Sequence, residues 1–310
     1  MAVEIPYRRD FVFEYGRLEA VAPGLRRIVA HNPGPFTFKG TGTYVVGEGE
    51  VAIIDPGPDL PEHIAALLAS LEGERVTHIL VTHTHRDHSP AAKAIKEATG
   101  APTYGFGPHA GGKRGETGAE EGGDWDFSPD IVVRDGDSIV GGTWRFEAVH
   151  TPGHTSNHVC FALPDSGILF SGDHVMGWST SVVAPPDGDM AGYMASLDKL
   201  LARQDAVYWP THGPAITEPK RHVRAFIAHR REREAGILEC LKAGIGTVDA
   251  MVERLYVGLN PALRRAAGRS VLAHLIDLIG RDIVAADGPP TVEAHYRLRH
   301  LAPRGETATE

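Results

Sequence analysis

Cysteine is scarce: the 310-residue chain has two, Cys160 and Cys240, in separate apolar surroundings. That excludes a disulfide framework and suits a reducing compartment. Long apolar runs are missing too. No stretch of 18 apolar residues occurs, and the opening MAVEIPYRRDFVFEYG lacks an apolar segment with a small-residue cleavage site. A cytoplasmic protein without membrane contact is therefore expected. Basic charge is thin over most of the chain. Residues 1–220 carry 17 Lys/Arg against 29 Asp/Glu, a net −12, and residues 221–310 carry 14 against 11, a net +3. This balance argues against broad electrostatic capture of nucleic acid, although bound metal ions can reverse the field inside one cleft. Repeats of fixed period are absent, as is low complexity beyond the closing GETATE.

What is present is ample core material. With 42% hydrophobic residues, the chain can bury one large domain plus a small one. TYVV and VAIID flank GEGE and predict a hairpin. A helix is expected from about Leu60 to Leu71, with Ile64, Leu67, Leu68 and Leu71 on one face. HILVTH predicts a buried strand. SPAAKAIKEATG predicts a helix with Ser89 as N-cap and Pro90 at N1, ending near Gly100. The Gly-rich, acidic residues 107–130 predict a long loop. TWRFEAVHT, HVCFAL and GILFSGD then predict strands, followed by a helix near Tyr193–Leu201 and a strand in AVYWPTHG. Two similar rounds of strands and helices imply two packed sheets with helices outside. After Gly213 the pattern predicts one long helix, a second capped by Thr247 and a third with Pro261 at N1. A hairpin around DGPP follows, which gives a winged-helix pattern.

The densest chemistry lies in THTHRDHS, residues 82–89, directly after the apolar HILV. His83 and His85, two apart at a strand end, leave on the same side. Asp87 and His88 follow where the chain turns into the next helix. Neutral imidazole and carboxylate suit zinc and other borderline divalent ions. Further ligand types follow other strands: His154 in TPGHTSNH, Asp173 in GILFSGDHV and His212 in AVYWPTHG, each beside Gly or Pro. Such loops gather on one edge of a sandwich. Chance placement is the plainer reading of His150 and His174, and it is evenly balanced for His158. His31, His78 and His109 read as surface or packed residues.

The ordered set His83-x-His85-x-Asp87-His88, then His154, Asp173 and His212, resembles the metallo-beta-lactamase-fold superfamily, with Asp55 in IIDPG matching its Asp-x-Gly turn. The resemblance implies an α/β fold, the αββα sandwich, over residues 1–220, and a small winged-helix-like domain over 221–310. It implies that His83, His85 and His154 hold one metal and Asp87, His88 and His212 the other. Asp173 would bridge them, and Asp55 would fix the loops from behind. Two zinc ions are expected, with manganese or iron as substitutes, and Asp87 and Asp173 as catalytic residues. NPGPFTFKGTGTYVVG, GYMASLDKLL and the C-terminal region look like the beta-lactamase-like protein 2 group, which implies a metal-dependent endoribonuclease acting on single strands.

Three function classes follow. The first is a phosphodiesterase, with single-stranded RNA as the leading substrate. The second is a hydrolase of a small ester, thioester or lactone, similar to glyoxalase II. The third is a winged-helix binding protein with a vestigial metal domain, which the complete ligand set opposes. The span from Asp173 to His212 leaves no room for the inserted domain of beta-CASP nucleases. True lactamases of this fold lack the bridging Asp; persulfide dioxygenases share the His-rich motif but use a single iron, and a mononuclear oxygenase stays a minor alternative. Lys113 and Arg114 could meet a phosphate, and Trp178 and Trp209 could stack on a base, wall an acyl pocket or pack in the core. Arg264, Arg265 and Arg269 lie on the third C-terminal helix, but +3 over that region is weak for a duplex reader. The C-terminal domain is expected to frame the metal cleft, without duplex DNA as a partner.

Overall fold

The computed structural model describes residues 4–111 and 122–299. Lys113 and Arg114 lie outside the described residues. Seven strands form the first sheet in sequence order: β1 (Glu19–Ala22), β2 (Leu25–Val29), β3 (Gly42–Glu48), β4 (Glu50–Ile54), β5 (Arg75–Leu80), β6 (Thr103–Gly105) and β7 (Ile131–Val132). The hairpin expected around GEGE is β3–β4. From β4 onward the pairs are parallel. The parallel crossovers carry α1 (Pro61–Ser70) and α2 (Ala92–Thr99). The second sheet runs β12-β11-β10-β9-β8, from β8 (Ser138–Val140), β9 (Arg145–His150), β10 (Val159–Leu163), β11 (Ile168–Gly172) and β12 (Val207–Pro210). Its one parallel pair, β11–β12, is joined through α3 (Met190–Ala202).

Strand alternation explains the layers. On β3 and β4, Tyr44, Val46, Ala52 and Ile54 meet Phe146, Val159, Phe161 and Phe170 of the other sheet. The intervening Val45, Val51 and Ile53 turn outward to Leu67, Leu71, Ala92 and Ile95 beneath α1 and α2. Cys160, Leu169 and Tyr208 likewise face Tyr193, Leu197 and Phe226. Strands buried on both faces read as continuous apolar runs, which is why VAII looks undivided in the sequence. Both cysteines are buried and free.

Two local expectations change. Helix α2 begins three residues after Ser89, which does not cap it; the Ser89 hydroxyl donates instead to Asp124 Oδ2 at 2.6 Å. The loop carrying Asp87 and His88 thereby consumes the residues that looked like a helix start. The C-terminal wing is β13 (Val284–Ala286) with β14 (Tyr296–Leu298), and its connection is longer than DGPP.

Three helices precede the wing: α4 (Pro219–Lys242), α5 (Val248–Leu255) and α6 (Arg264–Gly280). The first half of α4 places Val223, Phe226 and Ile227 in the core beneath α3, and its second half places Ile237, Cys240 and Leu241 against α5 and α6. Arg269 of α6 donates to Pro185 O at 2.9 Å, so this helix packs back onto the sandwich. Among the described residues no helix is long and apolar enough to cross a membrane.

His274 on α6 is buried, and neither ring nitrogen has a hydrogen-bond partner. Burial, then the charges of Arg230 and His229, depress it from 6.5 to about 3. The unfolded chain protonates this ring below its ordinary value while the folded chain does not. Its contribution to stability is therefore present above about 6.5 and lost as pH falls toward 3. In chelator-treated protein, His274→Leu is expected to flatten the fall in Tm between about pH 7 and about pH 4.5. An equal fall in both proteins would remove His274 as the cause.

Candidate metal centre

Five loops converge at one edge of the sandwich. Asp55 follows β4, residues 82–88 follow β5, His154 lies between β9 and β10, Asp173 follows β11 and His212 follows β12. The carboxyl ends of the parallel strands thus open on one crevice, the usual ligand-binding edge of such sheets.

The structure brings all seven expected ligands together. His83, His85 and His154 form one group; Asp87, His88 and His212 form another, and Asp173 lies with His83 and His88 between them. The ring nitrogens of the first group are mutually 3.0, 3.2 and 3.2 Å apart. In the second, His212 Nε2 is 3.1 Å from Asp87 Oδ2 and 3.4 Å from Asp173 Oδ2, while His88 Nε2 is 3.5 Å from each carboxylate. Ligands at about 2.0–2.1 Å from one ion stand roughly 3.3 Å apart in a tetrahedron and roughly 2.9 Å apart in an octahedron. Both groups fit a divalent cation, and their spacing leaves its identity open.

The imidazoles of His83, His88, His154 and His212 have their tautomer set from behind. His83 Nδ1 donates to Thr82 Oγ1 at 3.1 Å, because that hydroxyl is itself committed to Asp55 Oδ2. His88 Nδ1 donates to Asp55 Oδ2 at 2.9 Å, His154 Nδ1 to Val182 O at 2.7 Å and His212 Nδ1 to Gly40 O at 3.2 Å. Each turns its Nε2 into the cluster. His88 Nε2, His212 Nε2 and Asp173 Oδ1 are buried without a hydrogen-bond partner, a costly arrangement unless a cation uses them.

The electrostatics agree. Burial drives His83 and His85 well below 6.5, assisted by the neighbouring imidazoles, which favours the neutral rings that ligate metal. Burial also opposes charge on His212 and His88, but Asp173 and Asp87 outweigh it, lifting His212 to about 10 and His88 well above 6.5. Against the upward push of burial, His88 and His212 hold Asp87 at about 2. Protons held on His88 and His212 by these carboxylates are the ones a dication would displace.

Asp55 is wholly buried and binds the loops: it accepts from Thr82 N (2.8 Å), Thr82 Oγ1 (2.8 Å), Thr211 Oγ1 (2.7 Å) and His88 Nδ1. His158 is also buried and lies behind Asp173. Its Nε2 accepts from Asp173 N at 3.2 Å, which commits Nδ1–H to Thr151 Oγ1 at 2.8 Å. Gly172 makes that approach possible. Its φ is +50°, and a Cβ there would stand 2.5 Å from His158 Nε2. Gly172→Ala is expected to cost about 2 kcal/mol or more in urea unfolding and to displace Asp173. Unchanged stability would refute this tight fit.

The remaining expectations sort by position. His150 stacks on Phe106 at 3.8 Å, and His78 on Tyr104 at 4.8 Å. His174 is buried beside Tyr193. Trp209 packs with Tyr44 in the sandwich core, whereas Trp178 stacks on Phe38 and lines a cavity at the metal cluster. His109 is a packed residue: its ring lies 4.6 Å from that of Trp125 and 6.4 Å from that of His85, with Nδ1 3.0 Å from Thr84 Oγ1. Arg9, Phe36, Arg230 and Tyr256 also line the cavity, brought there from distant parts of the chain. No local spacing in the sequence marks them.

Residues 37–212 match the model of the metallo-beta-lactamase superfamily, and residues 247–289 match the beta-lactamase associated winged helix domain. The chain belongs to the metallo-beta-lactamase superfamily. It is 32% identical over 264 residues to the beta-lactamase-like protein 2 homolog of Caenorhabditis elegans, covering 82% of this chain and 83% of that protein. It is 30% identical over 230 residues to the atrochrysone carboxyl ACP thioesterase dmxR1 of a Cryptosporiopsis species, covering 73% and 65%. A crystal structure of a metallo-beta-lactamase family protein from Thermus thermophilus superposes with a TM-score of 0.73 at 25% identity, covering 90% of this chain and all of that one. As a member of this superfamily the protein is a metallo-beta-lactamase-fold hydrolase with a His/Asp cluster suited to divalent metal.

Proposed function

We propose that the protein hydrolyses an acyl thioester at a dinuclear zinc centre. The observation that carries this reading is the cavity at the cluster. It has a volume of about 240 Å³, is floored by His85, Asp87 and Asp173, and is walled by Phe36, Met176, Trp178, Tyr256, Leu259 and Leu263. An apolar recess that ends on ligand side chains suits an acyl chain whose carbonyl must reach those side chains. Similarity to a relative described as an ACP thioesterase supports it.

Two dications held by the seven ligands would lower the pKa of a water and polarise the thioester carbonyl. The protein's own residues do the positioning. Asp87 Oδ2, 3.1 Å from His212 Nε2, is placed to hold one ion with that ring and to orient the attacking water. The tethered rings hold the centre in one geometry, and the apolar walls keep the acyl chain from bulk water. A thiolate leaves without a proton donor, so binding and aim are the main demands on the protein.

Cleavage of single-stranded RNA is the second reading. Asp173 between the two groups suits in-line displacement at phosphorus, but among the described residues Arg9 and Arg230 are the only Lys/Arg side chains lining the cavity. Thiol release from acyl thioesters and integrity of unstructured RNA are to be followed side by side with zinc restored. Thioester turnover that is lost in Asp87→Ala, with RNA intact, is the expected result. RNA cleavage without thiol release would replace this reading by the nucleolytic one.

A further inference from the structure

Arg230, in the middle of α4, is only 3% exposed, yet among the described residues no carboxylate pairs with it. Its NH2 group donates to Ser181 O, and its guanidinium lies 5.0 Å from the Tyr193 ring centre. Its Nε is buried with no acceptor. The groups around it are Tyr7, Tyr193 and Tyr256 with His229 and His274, none of which supplies negative charge at neutral pH. A buried, unpaired guanidinium is costly, and arginine is seldom so buried without a counter-charge.

Its position relates that charge to the metal cluster. Ser181 O accepts from Arg230, and the next carbonyl, Val182 O, accepts from the metal-ligand candidate His154. Consecutive Cα atoms are about 3.8 Å apart, so one peptide unit separates the two anchor points. Arg230 also lines the cavity floored by Asp87 and Asp173, together with Ser181, Ser270 and the exposed Arg9. The recess therefore has metal ligands at one place, apolar walls and an uncompensated cation at another.

We propose that Arg230 is a specificity-determining residue that binds a carboxylate on the acyl group of the substrate, so that the preferred substrate is a monothioester of a dicarboxylic acid. This rests on the thioesterase reading. A carboxylate supplies two acceptors to the planar guanidinium fork and cancels its charge. The phosphate of a pantetheine arm is a less suitable occupant, because it lies a full extended chain away from its thioester. Arg230 and the ligand candidate His154 are anchored on adjacent carbonyls, too near one another for that chain to span.

The test compares wild type, Arg230→Met and Arg230→Lys at matched zinc content, with the glutaryl and valeryl thioesters of N-acetylcysteamine. These acyl chains differ in a terminal carboxylate against a methyl. Wild type is expected to favour the glutaryl thioester by about 10- to 100-fold in kcat/KM, mainly through KM. The ratio should fall towards one in Arg230→Met and be partly restored in Arg230→Lys. Calorimetric titration with glutarate, and separately with inorganic phosphate, reads the anchor without turnover; Arg230→Met should weaken glutarate binding by a similar factor. Equal turnover of both thioesters by wild type overturns the proposal and leaves the thioesterase reading standing. Glutarate binding that depends on Arg230, with neither thioester hydrolysed, keeps the anchor and removes the thioesterase reading. Arg230-dependent binding of phosphate but not glutarate overturns the carboxylate assignment. Should Arg230→Met fail to fold, the wild-type ratio and the Lys variant still decide.

Discussion

On the proposed dinuclear zinc reading, Asp173→Ala is expected to reduce hydrolysis by at least about 10³-fold and to lower the zinc content from two ions per chain to one or fewer. Asp173 Oδ2 stands 3.5 Å from His88 Nε2 and 3.4 Å from His212 Nε2, and Oδ1 is buried with no partner. Among the described residues no other carboxylate is grouped with ligands of both sets. The metal-free protein should lose stability as well. Against the push of burial, His212 and His88 hold Asp173 well below its ordinary value, so deleting it strips a counter-charge from two buried imidazoles. Tm after chelation should fall, and the increase in Tm on adding zinc should shrink. Elemental analysis and paired melting curves check both halves. Retention of two ions with activity within tenfold of wild type would remove the bridging role.

The second large effect is expected at Asp55. With four hydrogen bonds to Thr82, Thr211 and His88, this carboxylate fastens the loops after β4, β5 and β12 to one point. Asp55→Ala leaves these donors unpaired in the interior and should cost about 3–5 kcal/mol. It also frees the His88 ring, and metal affinity should drop about 10- to 100-fold. Asp55→Asn presents an amide N–H to groups that are already donors, so it should rescue little. Urea unfolding of metal-free protein separates the stability loss from the affinity loss, which a competitive zinc titration measures. A loss below about 1 kcal/mol would mean that the loops are held elsewhere.

The sandwich was legible because its strands are apolar on both faces and its helices keep a regular period. The ligand set was legible because His83, His85, Asp87 and His88 lie within six residues and the other ligands each follow an apolar run. Less legible were the short strands β6, β7 and β8, of two or three residues each, which are held by neighbouring strands more than by their own composition. Ser89 and Pro90 carry the signature of a helix start, but tertiary demand on Asp87 and His88 diverts that segment into a turn. The partners of Asp55 and the place of Arg230 follow from chain paths joining positions as far as 156 residues apart, as in Thr211 to Asp55. Local spacing holds no trace of such pairs.

Helix α4 belongs to both hydrophobic cores without a break, its early turns under the sandwich and its late turns under α5 and α6. It acts as a shaft whose rotational phase is set at one end and used at the other. Each residue advances an α-helix by about 100°, so one residue inserted between Ile227 and Ile237 would twist everything beyond it by that angle. The walls contributed by Tyr256, Leu259 and Leu263 would then leave the recess although no lining side chain had changed. A chimera that joins this sandwich to another protein's C-terminal module therefore has to cross over in register within α4, and length-matched junctions alone should yield open clefts.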